Sequence, residues 1–257
     1  MSQSATPESS LADIDMALSD AEDTSALLAD DIADIEFPPS DLLSDEPPLE
    51  TDFHRDQIDL LIRLLKWWWR DRQDFYVSGN LTIYYNERQL KLRDFRGPDF
   101  FVVLGTQKKD RRSWIVWHEE GKYPNVIVEI LSDKTAAVDK GLKKQLYQDT
   151  FRTPEYFWFD PVSLEFTGFH LQNSQYEEIA PTEDGRLWSR QLELYLGVHE
   201  RKLRFFTADN VLIPSAEERV QEMEVQMQQA EERAKQAEQS IERLREQLRL
   251  QGIEPEN

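Results

Sequence analysis

Three stretches decide the fold: Arg96-Gly-Pro-Asp99-Phe-Phe-Val-Val-Leu104, Tyr123-Pro-Asn-Val-Ile-Val-Glu129-Ile-Leu-Ser132 and Pro154-Glu-Tyr-Phe-Trp-Phe-Asp160. Each is an apolar run with an acid at its start (Asp99), in its interior (Glu129) or at its end (Asp160). Pro98 fixes φ and lacks an N–H, so it suits the first position of a strand. Runs such as Phe100–Leu104, Val126–Leu131 and Tyr156–Phe159, without polar alternation, read as strands buried on both faces. Between the second and third, residues 136–150 read as a helix with Asp139, Lys143 and Tyr147 at i, i+4 and i+8 on one face. Lys140 and Lys144 form the neighbouring stripe. Strand, helix, strand at this spacing predicts a parallel βαβ unit. A carboxylate inside a buried strand is costly unless a metal ion or a cation compensates it, so Glu129 is the main clue to chemistry.

Upstream, Ile58, Leu61, Ile62, Leu65, Trp68 and Trp69 recur at helical spacing over about residues 54–71. Trp67-Trp68-Trp69 spreads over more than half a helical wheel, so at least one indole meets a second element or solvent. Residues 75–85 read as a strand broken by a turn at Gly79-Asn80. Residues 105–112 form a basic loop whose Lys108, Lys109, Arg111 and Arg112 are candidates for phosphate contacts. Beyond Pro161 short amphipathic strands are predicted over 164–171, 175–179, 192–196 and 202–206, as antiparallel additions to the sheet. In the last segment Val220, Met223, Met227, Ala230, Ala234, Ala237, Ile241, Leu244 and Leu248 alternate in steps of 3 and 4, the a and d positions of a coiled coil. The functional reading is a homo-oligomer, or a docked partner, through residues 215–250; the plainer one is a lone charged helix.

The net charge of −20 is concentrated at one end. Residues 1–52 hold fifteen of the 50 acids and none of the 30 bases, leaving the remainder near balance. This segment reads as a disordered acidic tail, either solubilising, or folding against a protein partner or masking a basic groove as a DNA mimic. There is no cysteine, so no disulfide framework and no thiolate chemistry. The opening residues lack the basic and apolar regions of a signal peptide, and no run is long enough to span a bilayer, which predicts a soluble cytoplasmic protein.

The four histidines are scattered, with no pair at i, i+3 or i, i+4, and no glycine-rich phosphate loop or Gly-x-Ser-x-Gly elbow occurs. That leaves Asp99, Glu129 and Lys143. Two carboxylates from neighbouring strands can hold a hard divalent cation through oxygen, with Mg²⁺ the natural choice. A nearby lysine can orient or deprotonate water, or offset developing charge. These parts suit metal-dependent phosphodiester hydrolysis. Against them, Asp99 can simply close a loop, and Lys143 can pair with Asp139 at the surface.

In order, Pro98-Asp99, Val128-Glu129-Ile130-Leu131-Ser132, Asp139-x3-Lys143-x3-Tyr147 and Pro154-Glu155-Tyr156-Phe-Trp158-Phe-Asp160-Pro161 resemble the Uma family of bacterial endonucleases, over about residues 55–207. The resemblance implies an α/β (α+β) fold, a restriction-endonuclease-like PD-(D/E)xK core with a central mixed sheet flanked by helices. It implies Asp99 and Glu129 as metal ligands for Mg²⁺ or Mn²⁺, DNA as substrate, and supporting roles for Ser132, Asp139 and Tyr147. The superfamily's lysine position, two residues after the strand acid, is Leu131 here, and the resemblance places the lysine on the following helix at Lys143. The expected organisation is an acidic tail over 1–52, the nuclease-like domain over 53–212 and a coiled-coil helix over 213–257. The competing reading is an inactive nuclease-fold scaffold acting through its coiled coil and acidic tail.

Overall fold

The computed structural model describes residues 51–86, 97–132 and 139–251. The acidic segment 1–50 lies outside them. The described chain divides into two units, one holding residues 81–86 and 111–121 and the other all the rest.

In the larger unit, helix α1 spans Asp52–Trp68 and is capped by Thr51, whose side chain accepts from the His54 N–H at 3.1 Å. The helix begins two residues before the predicted start and ends three before the predicted end. Its apolar stripe puts Ile58, Leu61, Leu64 and Leu65 into the core. Each fully buried leucine contributes on the order of 2 kcal/mol. The three tryptophans part as the wheel demands: Trp69 is buried edge-on against Phe75, Trp67 is partly buried, and Trp68 is exposed.

Among the described residues the main sheet has six strands. They are β1 (Phe75–Ser78), β3 (Phe100–Leu104), β5 (Val126–Ile130), β6 (Glu155–Phe159), β7 (Phe166–Gln172) and β8 (Gln175–Glu178), side by side in that order. All neighbours are antiparallel except β5 and β6, the parallel pair that the βαβ reading requires. Strands β5 and β6 are buried along their whole length, as their uninterrupted apolar runs predict. Side chains alternate between the faces. Phe100, Val102, Val126, Val128, Ile130, Phe157 and Phe159 pack with the stripe of α1. Phe101, Ile127, Glu129 and Tyr156 occupy the opposite face. That second face is met by a π-helical turn over Asp139–Lys143 and helix α2 (Lys144–Asp149), whose Tyr147 ring lies 5.4 Å from Phe151 and 5.5 Å from Tyr156.

The predicted antiparallel additions separate into two groups. Strands β7 and β8 extend the main sheet, whereas β9 (Leu187–Ser189), β10 (Leu194–His199) and β11 (Lys202–Phe206) form a three-stranded sheet of their own. Leu187, Leu194, Leu196, Leu203 and Phe205 of this small sheet join the α1 core. Gln57 ties α1 to β11 by bonding both the N–H and the carbonyl of Leu203 at 2.9 Å. Helix α3 then runs from Ala216 to Leu250 with a capping box between Ser215 and Glu218. Among the described residues no helix is long and apolar enough to cross a membrane.

The smaller unit pairs β2 (Ile83–Tyr84) in parallel with β4 (Trp114–Ile115), followed by a 3₁₀ turn over Val116–His118. The Arg111 guanidinium is forked onto Glu119 at 2.7 and 2.8 Å and lies 4.8 Å from the centre of the Trp114 ring.

Candidate active site

Strands β3 and β5 pair with Phe100 opposite Val128, and the next step along both strands brings Asp99 beside Glu129. Their main and side chains interlock. The Ile130 N–H donates to Asp99 Oδ2 at 2.7 Å, and the Asp99 N–H reaches Glu129 Oε2 at 3.4 Å. Glu129 is fully buried (0 % exposed) in the middle of the sheet. Its Oε1 accepts from the Tyr147 hydroxyl at 2.7 Å and its Oε2 from the Lys143 ammonium at 3.0 Å. Lys143 is also 2.9 Å from Asp139 Oδ1, itself buried, while the Asp139 carbonyl accepts from the Tyr156 hydroxyl at 2.9 Å.

Asp139, Lys143 and Tyr147 therefore do share a face, and that face is turned inward onto Glu129. The contact between Asp139 and Lys143 is a buried ion pair rather than a surface one. The first turn of this segment is π-helical, closed i→i+5, which sets side chains four apart nearly above one another. Lys140 and Lys144 are directed to the sheet instead, with ammonium groups 3.8 Å from the Trp158 ring centre and 3.4 Å from that of Phe169. Ser132 lies two residues past the end of β5 and is half-buried. Lys108 and Lys109 are exposed on the loop after β3, and Arg112 is exposed in the smaller unit. Asp160 bonds the N–H groups of Val162 and Ser163, which makes it a turn residue at the end of β6.

One participant is absent from the sequence reading. His54, in the first turn of α1, places Nε2 3.0 Å from Asp99 Oδ1 and is buried. Isolated in the chain, it belongs to no recognisable spacing. Its proximity to Asp99 arises only when α1 crosses the end of β3.

The electrostatics follow from three carboxylates and one ammonium packed together in a largely buried cluster. Burial pushes the Glu129 pKa well above the usual glutamate range, Asp99 and Asp139 add to the rise, and Lys143 and Tyr147 reverse only part of it. Burial acting alone would lower the pKa of Lys143, but Glu129, Asp139 and Asp99 together outweigh it and hold that pKa above the usual lysine range. The Tyr147 phenol is raised by burial and then by Glu129, so it remains a donor. Lys143 is thus a fixed cation, and Glu129 takes up a proton more readily than an exposed glutamate.

The donors are hard oxygens, the set that Mg²⁺ or Mn²⁺ prefers. Among the described residues no three His, Cys, Asp or Glu side chains are grouped to hold a metal ion. Two carboxylates suffice for Mg²⁺ where water and substrate phosphate complete its shell. Asp99 and Glu129 fit that requirement by chemistry and adjacency, and the Lys143 ammonium already occupies the position of a cation against Glu129.

A mixed sheet with two acids on adjoining strands and a lysine from the following helix is the arrangement that the resemblance to restriction-endonuclease-like proteins implies. The sequence matches the family model Uma2, described as "Putative restriction endonuclease", over residues 24–204, and the chain belongs to that family. The match starts inside the acidic segment, well before the first motif that carries the resemblance. No curated protein matches the chain. Among solved structures, the crystal structure of "a putative nuclease belonging to DUF820" from Anabaena variabilis ATCC 29413 is similar, at 12% identity and a TM-score of 0.43, covering 56% of this chain and 76% of that one.

Proposed function

We propose that this protein hydrolyses phosphodiester bonds in DNA with a divalent cation, Mg²⁺ or Mn²⁺, held by Asp99 and Glu129. The observation that carries the reading is Glu129: a carboxylate fully buried in a central strand, beside Asp99 and in contact with Lys143. When bound, the cation supplies Lewis-acid polarisation of a phosphoryl oxygen and a more acidic water. The Ile130 N–H fixes one oxygen of Asp99, the His54 imidazole stands 3.0 Å from the other, and Tyr147 fixes one oxygen of Glu129. Lys143, kept charged by its acidic neighbours, acts as a donor that offsets negative charge developing on the phosphate rather than as a general base. Lys108 and Lys109, in the larger unit, are suited to phosphate contacts that position DNA without reading its sequence; in the smaller unit Arg112 is a candidate by itself, while Arg111 is committed to Glu119. The protein acts in the cytoplasm as an oligomer joined through residues 215–250.

The test is nicking or cleavage of plasmid DNA by purified protein with Mg²⁺ or Mn²⁺. Asp99→Ala and Glu129→Ala should each abolish it, and activity surviving both changes would overturn the assignment. One observation favours the alternative of an inactive scaffold: both Glu129 oxygens are already satisfied inside the protein. Metal titration separates the two readings, since a scaffold binds no divalent cation at Asp99 and Glu129.

A further inference from the structure

We propose that α3 pairs with the α3 of a second copy of this chain as a parallel, in-register, two-stranded coiled coil. This deepens the oligomer reading by fixing the number and direction of the strands, and it is independent of the nuclease chemistry.

Among the described residues, the helix is anchored only at its base. Glu218 is forked onto Arg204 at 2.9 and 2.7 Å, and the Arg219 guanidinium lies 3.8 Å from the Trp67 ring centre. From Val220 to Gln247 every residue is exposed, and none in the whole helix is buried. At 35 residues α3 is about 50 Å long. An isolated helix of this kind gains nothing from an ordered apolar stripe, yet one is present. Val220, Met227, Ala234, Ile241 and Leu248 occupy the a positions, and Met223, Ala230, Ala237 and Leu244 the d positions. Met223 is 68 % and Leu244 59 % exposed in the single chain. A strict 3.5-residue repeat is the signature of a left-handed supercoil with a like partner. Larger side chains at both ends clamp a middle of alanines, where two backbones can approach closely. β-Branched Val220 and Ile241 at a, with Leu244 at d, favour two strands.

Direction is set by the flanking charges. The e positions are Glu224, Glu231, Glu238 and Arg245, and the g positions are Arg219, Gln226, Arg233, Ser240 and Gln247. A parallel pair sets each g residue against the e′ residue of the next heptad. Arg219 then meets Glu224 and Arg233 meets Glu238, Gln226 and Ser240 face single charges, and no like charges meet. An antiparallel pair sets e against e′, where three of the four residues named are glutamates, so acid meets acid in either central register. The parallel pairing also brings the two nuclease-like domains to the same end of the coil.

The absence of cysteine makes the test clean. In full-length protein, Met223→Cys and Leu248→Cys, made separately and oxidised with glutathione disulfide, should each give a covalent dimer on a non-reducing gel. Light scattering of the unmodified protein should give twice the 30.3 kDa chain mass. Ile241→Lys with Leu244→Lys should give the monomer while the thermal transition of the domain is retained, since α3 contributes no buried side chain. A monomeric wild-type protein, or a trimer or tetramer, overturns the proposal. So does cross-linking only when the Met223→Cys and Leu248→Cys chains are mixed, which would mean an antiparallel coil. None of these readouts depends on DNA cleavage.

Discussion

The Lys143 ammonium lies 3.0 Å from Glu129 Oε2, joining the helix after β5 to the interior of β5 itself. Asp139 approaches the same ammonium at 2.9 Å, so one cation compensates two buried carboxylates. Desolvating these groups is costly, and their attraction repays the cost only while all the partners remain. Such an arrangement is expensive as a means of stability alone, and it is the main physical reason to assign the cluster a chemical role.

Lys143→Gln should therefore destabilise the metal-free protein by about 3 kcal/mol, the lower end for a broken buried pair, because Glu129 can take up a proton in compensation. Mn²⁺ should restore part of the loss, because a divalent cation held by Asp99 and Glu129 compensates the buried Glu129 charge. Urea midpoints with and without Mn²⁺ check both points. An unchanged midpoint in chelator would show that the pair contributes nothing to folding.

Glu129 also gives a pH signature. Folding raises its pKa, so the folded chain holds that proton more tightly than the unfolded chain. Its contribution to stability then declines as pH rises above the ordinary glutamate value of 4.5. Lys143 behaves differently: its contribution is complete below the ordinary lysine value of 10.5 and is lost only as pH climbs past it. Between about pH 5 and about pH 8, in chelator, the wild-type urea midpoint should fall relative to that of Glu129→Gln. Parallel pH profiles for the two proteins would remove the raised pKa from the account.

Gly79 controls where Asp99 can be. A Cβ at this position would stand 2.2 Å from the Asp99 carbonyl oxygen and 2.5 Å from Ile58 Cγ2. The following N–H, of Asn80, donates to the carbonyls of Pro98 and Asp99 at 3.0 and 3.2 Å. Gly79→Ala should cost about 1–3 kcal/mol through overpacking, and it should weaken Mn²⁺ binding by moving Asp99 away from Glu129. Thermal denaturation and calorimetric titration test the two effects separately.

The strands that carry the acids were legible because a strand buried on both faces writes an unbroken apolar run, as Val126–Ile130 does. The face shared by Asp139, Lys143 and Tyr147 was legible from spacing alone. That it points inward was not, since a lysine with an acid four residues away reads equally well as a solvated pair. The π-helical turn at Asp139–Lys143 leaves no pattern distinct from an α-helix. Strand β9 has only three residues and no alternation long enough to register, which hid the separate three-stranded sheet. His54 was missed as a site residue, and Gly79 was legible only as a turn, for a common reason. Their partner, Asp99, is distant in the chain, and only tertiary packing brings them to it.

His54 supplies the remaining prediction. Asp99 accepts from the Ile130 N–H at 2.7 Å through one oxygen, and its other oxygen lies 3.0 Å from His54 Nε2, so the imidazole bounds that side of the carboxylate. The backbone donor is fixed by the sheet and cannot be removed by mutation, whereas the imidazole can. Groups that orient a metal ligand from behind typically account for about 10- to 100-fold in affinity. His54→Ala should weaken Mn²⁺ binding by that factor in calorimetric titration. Helix α1 should persist, because Ile58, Leu61, Leu64 and Leu65 still anchor it in the core. Asp99→Asn in the same background should add little beyond its own effect, since the two residues act through one carboxylate. Unchanged affinity in His54→Ala would mean that the Ile130 N–H alone orients Asp99, and that His54 serves only to pack the start of α1.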